Sequence, residues 1–235
     1  MNTGAFKAGD VTVFDPAQKH HYQPAYTMVG GGVIGNAAKA KTMEDKYVVR
    51  SQLKMFQNSP QTKWVPKGVT SMQPESNKLT LDDGTEVEYE YLVVAPGCQL
   101  RFDQIKGASA ALADESCPVG SIYTLKGAYK TSLLRESFKG GKAIFTLPTM
   151  PIKCGGAPQK IMYLSEETWR NKKISADVEF RTTVGSLFPN CQKFADALKP
   201  IAASKGINVE YFNKLVEIDG ENRVATFENL QTGEN

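Results

Sequence analysis

The second half of the chain alternates short apolar runs with stretches in which apolar residues recur at helical spacing. Each apolar run has the length of a buried strand, and a helical stretch follows it. This order predicts strand–helix–strand units with a parallel sheet, and therefore an α/β fold. The predicted strands are 142–147, 176–181 and 207–212, and the predicted helices are 158–171 and 191–204.

Two further patterns flank this region. A helical pattern over Leu125–Phe138 ends at Gly140-Gly141, which predicts a domain boundary between residues 139 and 140. The tail from Leu215 to Leu230 predicts two strands around a turn at Asp219-Gly220.

The first half of the chain carries mainly strand patterns. Val11–Phe14 predicts a buried strand that ends at Asp15, and residues 63–94 predict a β-meander with a hairpin turn at Asp82-Asp83-Gly84. The continuous apolar run Tyr91–Ala95 predicts a buried strand.

Two features of this half could suggest a nucleotide site. Gly30-Gly31-Gly32 follows no strong strand and lacks the G-x-G-x-x-G spacing, so we expect a flexible connection and not a phosphate loop. In dinucleotide-binding folds an acid such as Asp15 binds a ribose hydroxyl, although an Asp-Pro pair at a strand end is more often a turn.

The turn between strand 142–147 and helix 158–171 contains a cysteine, Cys154, followed by two glycines. Such turns usually hold a phosphate with free backbone N–H groups, but here two prolines, which lack an N–H, come first. The positive end of the helix would favour a thiolate at Cys154, and Lys153 and Lys160 add positive charge. This pattern indicates sulfur chemistry, while a cysteine that is simply a small packing residue remains the alternative.

Composition excludes several classes of protein. The 235 residues are 41% hydrophobic, which is enough for one large or two small α/β domains. The net charge of +3 is scattered without a long basic run, which argues against nucleic acid as a partner. The chain shows no apolar stretch of membrane-spanning length, no signal peptide and no transit peptide.

Cysteine and histidine usage predicts reduced thiols and no metal centre. His20 and His21 are adjacent, so their side chains point opposite ways on an extended segment. The cysteines form no C-x-x-C pair, so we expect at most one redox-active thiol among Cys98, Cys117, Cys154 and Cys191.

Three segments together carry a family resemblance. They are Asp15 with His20-His-Tyr-Gln-Pro24, the run Tyr91-Leu-Val-Val-Ala-Pro-Gly97, and the most specific one, Lys153-Cys-Gly-Gly-Ala-Pro-Gln-Lys160 with its continuation to Glu166. In these segments, and on to Phe227–Leu230, the chain resembles the sulfide:quinone oxidoreductases of the eukaryotic mitochondrial type. The resemblance covers essentially the whole chain and implies two Rossmann-like, FAD/NAD(P)-binding domains of the disulfide-reductase type.

The resemblance implies FAD as the cofactor. Asp15 matches the acid that holds the adenosine ribose, Gln23 matches a flavin-nucleotide contact, and Val69 matches a position whose backbone meets the adenine. Ala95-Pro96-Gly97 is similar to an Ala-Thr-Gly signature close to the cofactor, but its proline removes a possible hydroxyl contact.

The resemblance also implies a reaction. Cys154 matches one of two redox cysteines whose disulfide is attacked by hydrogen sulfide. The persulfide that forms passes electrons to FAD, which reduces a quinone such as ubiquinone, and the sulfane sulfur goes to a small acceptor such as glutathione or sulfite. The family works at the matrix face of the mitochondrial inner membrane.

Measured against that family, both domains are expected to be incomplete in this chain. We expect a partial FAD-binding domain over residues 1–139 and a partial second domain, with the redox cysteine, over residues 140–235. The glycine fingerprint that holds the FAD pyrophosphate, the partner cysteine, and the C-terminal helices that give peripheral membrane association have no counterpart here.

Two alternatives remain open from the sequence. A type II NADH:quinone oxidoreductase would need a glycine fingerprint after strand 142–147, which is absent. A non-catalytic fragment or pseudoenzyme would keep the scaffold without turnover.

Overall fold

The structure is a computed structural model that describes residues 6–189 and 191–234. The strands are β1 (Val11–Phe14), β2 (Lys19–His21), β3 (Val49–Ser51), β4 (Thr62–Val65), β5 (Val69–Gln73), β6 (Lys78–Leu81), β7 (Glu86–Glu88), β8 (Gly141–Leu147), β9 (Ala176–Thr182), β10 (Asn208–Glu210), β11 (Asn213–Asp219) and β12 (Val224–Asn229). The α-helices are α1 (Pro24–Gly30), α2 (Ala37–Thr42), α3 (Glu44–Tyr47), α4 (Gln52–Phe56), α5 (Ala108–Ala113), α6 (Leu125–Ser137), α7 (Ala157–Asn171) and α8 (Gln192–Ser204). Short 3₁₀ turns occupy Pro74–Ser76 and Phe102–Gln104.

The chain divides into two compact units. The first contains residues 1–22 and 44–96, and the second contains residues 23–43 and 97–235. The predicted domain boundary between residues 139 and 140 is a separate matter from these units and stays a prediction.

The first unit is built from small sheets. β1 pairs in parallel with β4, β2 pairs antiparallel with β3, and β5, β6 and β7 form an antiparallel meander. The predicted meander is therefore confirmed, including its turn at Gly84, which has a positive φ of 83°. At the start of this region Pro66, which has no N–H to donate, separates β4 from β5.

The prediction of a buried strand at Tyr91–Ala95 was wrong. The segment is irregular, and the side chains of Tyr91 and Val93 are 91% and 88% exposed. An apolar run becomes a strand only when a neighbouring strand accepts and donates its backbone hydrogen bonds. Within residues 6–189 and 191–234, no strand pairs with this run.

The second unit contains the predicted parallel sheet, in the order β10-β9-β8. β8 and β9 pair in register from Gly141↔Ala176 to Leu147↔Thr182, and α7 packs against both strands. Here the predicted strands and helices are confirmed within a few residues at each end. The core beneath α7 consists of Leu147, Met162, Trp169, Val178, Phe180, Leu187, Ala202 and Ile207.

The prediction of a flexible connection at Gly30-Gly31-Gly32 was also wrong. Gly30 ends α1, a helix that the glycines concealed in the sequence, and Gly30 and Gly31 are buried. A Cβ at Gly30 would lie 2.9 Å from Ile122 Cγ2, and one at Gly32 would overlap the guanidinium of Arg135. The glycines therefore allow close packing of the helices, because any side chain would collide with a neighbour.

The C-terminal tail forms the predicted antiparallel pair, β11 with β12. The carboxylate of Asp219 closes the turn by accepting the backbone N–H of Asn222 at 2.9 Å. An isolated bridge between Lys106 and Glu217 ties β11 to the segment before α5.

Candidate functional site

Cys154 lies in the irregular turn between β8 and α7, and its side chain is exposed. Gly155 and Gly156 follow it, and α7 begins at Ala157 with a proline in its first turn. Gly156, the N-cap residue, has no side chain to bind the free N–H groups of that turn. The predicted order of strand, thiol, two glycines and helix is therefore present, and the thiol is open to a reactant in solution.

The turn that carries Cys154 is held by hydrogen bonds from two directions. The carbonyl oxygen of Cys154 accepts the N–H of Ala157 at 3.3 Å and the hydroxyl of Tyr123 at 3.2 Å. Next to it, Lys153 donates from Nζ to Oε1 of Gln23 at 3.2 Å. Two predicted site residues, Cys154 and Gln23, thus belong to one neighbourhood, because Lys153 joins them.

The phenol of Tyr123 is electrostatically coupled to the cysteine. Burial raises the pKa of Tyr123 above its ordinary value, and the negative charge of Cys154 raises it further. The hydroxyl therefore stays protonated and remains a donor throughout the physiological pH range.

The other cysteines occupy different environments. Cys98 is exposed on the irregular segment after Tyr91–Ala95, and Cys191 is the N-cap residue of α8. Cys117 is buried, with its sulfur 3.8 Å from the carbonyl oxygen of Gly220. All the cysteines carry free thiols.

Asp15 follows β1 in the first unit, where its backbone N–H extends the ladder to Val65. Its Oδ2 accepts the side-chain amide of Gln52 at 2.7 Å, and its Oδ1 accepts the N–H of Ala17 at 2.9 Å. Each carboxylate oxygen can accept a second hydrogen bond. These remaining acceptor positions suit the hydroxyls of a ribose, and the same contacts also produce the turn that an Asp-Pro pair suggests.

Val69 and Gln23 sit at the starts of other elements. Val69 begins β5 opposite Leu81, and the register of the pair shifts directly after it. Gln23 precedes Pro24 at the N-terminus of α1, and its carbonyl accepts the N–H of Tyr26 at 2.9 Å. Asp15 and Val69 lie in the first unit, whereas Gln23 and Cys154 lie in the second.

Tyr123 was not found from the sequence. It precedes Cys154 by 31 positions and belongs to no motif, so only the packing of α6 beside α7 reveals the contact. The hydrogen bond between Lys153 and Gln23 spans 130 positions and was equally invisible.

The part of the chain that the structure describes has neither a membrane-spanning helix nor a cluster of metal-ligating side chains. Every helix there is too short or too polar to cross a bilayer. The same residues contain no group of three or more His, Cys, Asp or Glu side chains arranged to hold a metal ion.

Comparison with known proteins finds close relatives by sequence. The chain is 37% identical over 225 residues to the mitochondrial sulfide:quinone oxidoreductase of Mus musculus, covering 95% of this chain and 47% of that protein. It is 36% identical over 233 residues to the corresponding protein of Schizosaccharomyces pombe, covering 97% of this chain and 48% of that protein. The chain thus spans about half the length of the curated relatives it matches. No protein-family model matches the chain.

Solved structures share the fold. A chain in the Tetrahymena thermophila mitochondrial ATP synthase structure superimposes with a TM-score of 0.72 at 21% identity, over 95% of this chain and 53% of that chain. The sulfide:quinone oxidoreductase of Aquifex aeolicus superimposes with a TM-score of 0.63 at 19% identity, over 92% of this chain and 49% of that chain. The predicted fold class, Rossmann-like domains of the disulfide-reductase type, is therefore confirmed.

Proposed function

We propose, because the chain is a homologue of the mitochondrial sulfide:quinone oxidoreductases, that it acts in sulfide oxidation as part of a flavoprotein with a quinone acceptor. The observation that carries this proposal is the exposed thiol of Cys154, ahead of α7, in a chain related to these enzymes over 95% of its length. In this proposal hydrogen sulfide becomes sulfane sulfur by way of a cysteine persulfide.

Cys154 is the proposed catalytic residue. Hydrosulfide attacks a disulfide between Cys154 and a second cysteine, so that one sulfur–sulfur bond forms while another breaks. One cysteine then carries the persulfide, and the other leaves as a thiolate with the displaced electron pair. A small acceptor such as glutathione or sulfite finally removes the outer sulfur. The open end of α7 and the adjacent Lys153 favour the anionic sulfur in these steps.

FAD is the proposed cofactor, and the acceptor oxygens of Asp15 support the proposal because they suit the hydroxyls of its ribose. Asp15 would hold the adenosine ribose with its free lone pairs, Val69 would meet the adenine with its backbone, and Gln23 would contact the flavin nucleotide. When bound, FAD would serve as the two-electron acceptor, so that sulfide oxidation and the reduction of ubiquinone can take place as separate steps. Lys153, which bonds to Gln23, would link the cofactor residues of the second unit to the cysteine turn.

Further parts of the proposal rest on the family resemblance of the sequence. Residues 1–139 would correspond to the FAD-binding domain and residues 140–235 to the second Rossmann-like domain. The protein would work in the mitochondrion, at the matrix face of the inner membrane, with peripheral membrane contact. No nucleic acid is expected as a partner.

The test is sulfide-dependent reduction of a soluble ubiquinone analogue by the purified full-length protein with FAD supplied. We expect Cys154→Ser to reduce the rate to background, because serine cannot form the disulfide or the persulfide. Cys98→Ser is the matched control, since it removes another exposed thiol and should leave the rate unchanged.

Three results would contradict the proposal. Sulfide oxidation that survives Cys154→Ser would exclude Cys154 as the sulfur carrier. Quinone reduction driven by NADH would instead favour a type II NADH:quinone oxidoreductase. A full-length protein that binds no FAD and oxidises no sulfide would favour a non-catalytic protein.

A further inference from the structure

Tyr123 reaches the cysteine turn from a different element. It immediately precedes α6, and its hydroxyl donates to the carbonyl oxygen of Cys154 at 3.2 Å. The bond ends on the residue that bears the thiol, so it restrains the backbone from which the sulfur projects.

Tyr123 is itself firmly held. Its backbone N–H donates to the hydroxyl of Ser121 at 3.3 Å, and the next residue, Thr124, caps α6 by accepting the N–H of Gly127 at 3.0 Å. Tyr123 also packs against a buried apolar cluster of Ile122, Ala157 and Ile161. Because Ala157 and Ile161 belong to α7, the same cluster ties Tyr123 to the helix that follows Cys154.

The turn around Cys154 has few other restraints. A Cβ added at Gly155 would come no closer than 3.9 Å to another residue, so this position is loosely packed. Glycines lose the most conformational freedom when a chain is ordered, so a Gly-Gly pair after the thiol makes the turn costly to fix. The Tyr123 hydroxyl and the N–H of Ala157 therefore supply much of the order at the Cys154 carbonyl.

We propose that Tyr123 is a positioning residue for Cys154, which holds the carbonyl of the cysteine and so keeps the sulfur in place between β8 and α7. The raised pKa of the phenol supports this role, because the donor persists when the cysteine carries a negative charge. The importance of this role for turnover rests on the proposed function, but the contact itself can be tested through thiol chemistry alone.

The experiment follows the reaction of Cys154 with iodoacetamide across a range of pH, with each cysteine quantified by peptide mass spectrometry. We expect Tyr123→Phe to slow alkylation of Cys154 at neutral pH by between about two- and tenfold, the value of one hydrogen bond. The dependence of the Cys154 alkylation rate on pH should differ between Tyr123→Phe and the unmodified chain, because the variant loses the hydrogen bond to the Cys154 carbonyl. The profile of Cys98 should not change.

Tyr163→Phe is the matched control. It makes the same substitution at a partly buried tyrosine of α7 whose hydroxyl has no hydrogen-bond partner, so the Cys154 profile should stay as in the unmodified chain. An unchanged profile in Tyr123→Phe, or an equal shift in Tyr163→Phe, would overturn the proposal.

A second measurement needs no variant. In the unmodified chain labelled with ¹³C at tyrosine Cζ, alkylation of Cys154 should shift the resonance of Tyr123 and leave that of Tyr163 in place. If the Tyr123 resonance does not move, the proposal is wrong whether or not the chain oxidises sulfide. If the protein lacks sulfide oxidation but both thiol results hold, the positioning role stands and only the proposed function fails.

Discussion

The strands of the sheet β8–β9–β10 and the run Tyr91–Ala95 were both predicted as strands from their apolar residues, but their structures are opposite. In the sheet, Leu147 and Phe180 are 1% and 0% exposed, and each strand has a partner in register. In the run, Tyr91 is 91% exposed and the backbone is irregular. Hydrophobicity is therefore not sufficient to make a strand, because the backbone of the segment also needs a ladder to join.

A helix that follows in the sequence covers the sheet, whereas the run Tyr91–Ala95 is exposed to solvent. α7 covers β8 and β9 with Met162 and Trp169, and the indole of Trp169 donates to the carbonyl of Arg135 at 2.9 Å. The apolar area thus removed from water is what stabilises the sheet. The following predictions test how far this contrast extends.

The largest expected effect separates two aromatic side chains. Phe180→Ala should lower the free energy of unfolding by about 3–5 kcal/mol, because it leaves a cavity in the core of the second unit. Tyr91→Ala should change it by less than about 0.5 kcal/mol, because the ring contacts mainly solvent. Denaturant unfolding measures both. A large loss in Tyr91→Ala would mean that the run is packed in solution.

A smaller difference is expected between two glycines with positive φ. A Cβ at Gly107 would overlap the carbonyl oxygen of Ile218, so Gly107→Ala should cost about 1–2 kcal/mol in backbone strain and about 1–3 kcal/mol in overpacking. At Gly97, directly after the run, a Cβ has open space, and only the strain remains. Equal thermal midpoints for the two variants would contradict this reading.

The smallest effect concerns pH. Hydrogen bonds from Lys142 and Arg181 hold the pKa of Glu179, on β9, below its ordinary value of 4.5. Because the folded state favours the carboxylate, its stabilisation is complete above about pH 5 and is lost as pH falls through the lowered pKa. Glu179→Gln should cost about 1 kcal/mol at pH 7, and this cost should disappear as pH falls through the lowered pKa.

Glu88→Gln on β7 is the matched control for this measurement. The Glu88 side chain is 77% exposed and lies 3.5 Å from Lys78, so its removal should change stability by about 0–0.5 kcal/mol. Unfolding curves at several pH values compare the two variants. A Glu179→Gln curve that stays parallel to that of the unmodified chain at every pH would contradict the prediction.

How well the sequence predicted each region depended on whether the responsible contacts were local. The alternation around residues 142–210 predicted every strand and helix of the parallel sheet, because a periodic pattern and a neighbouring partner coincide there. The position of the Cys154 thiol at the start of α7 was also foreseen, since strand, turn and helix are contiguous. The roles of Cys154, Asp15, Gln23 and Val69 remain predictions.

The wrong predictions concern segments whose structure depends on contacts that are distant in the sequence. The glycines at residues 30–32 looked flexible because the side chains that fill the space around them, Ile122, Leu164 and Arg135, lie far away in the sequence. Because these side chains lie so close to the glycines, the segment is tightly packed and not flexible. The prediction of a strand at Tyr91–Ala95 was wrong because the sequence pattern does not show whether a partner strand is present.

The order of apolar and polar residues was thus enough to establish an α/β fold, the parallel sheet and a thiol at a helix start, because these depend on neighbours along the chain. Folding alone brought the hydroxyl of Tyr123 to the carbonyl of Cys154 and the amine of Lys153 to Gln23. Such contacts join residues that are distant in sequence. They arise from the way α1, α6 and α7 pack together, which no local pattern encodes.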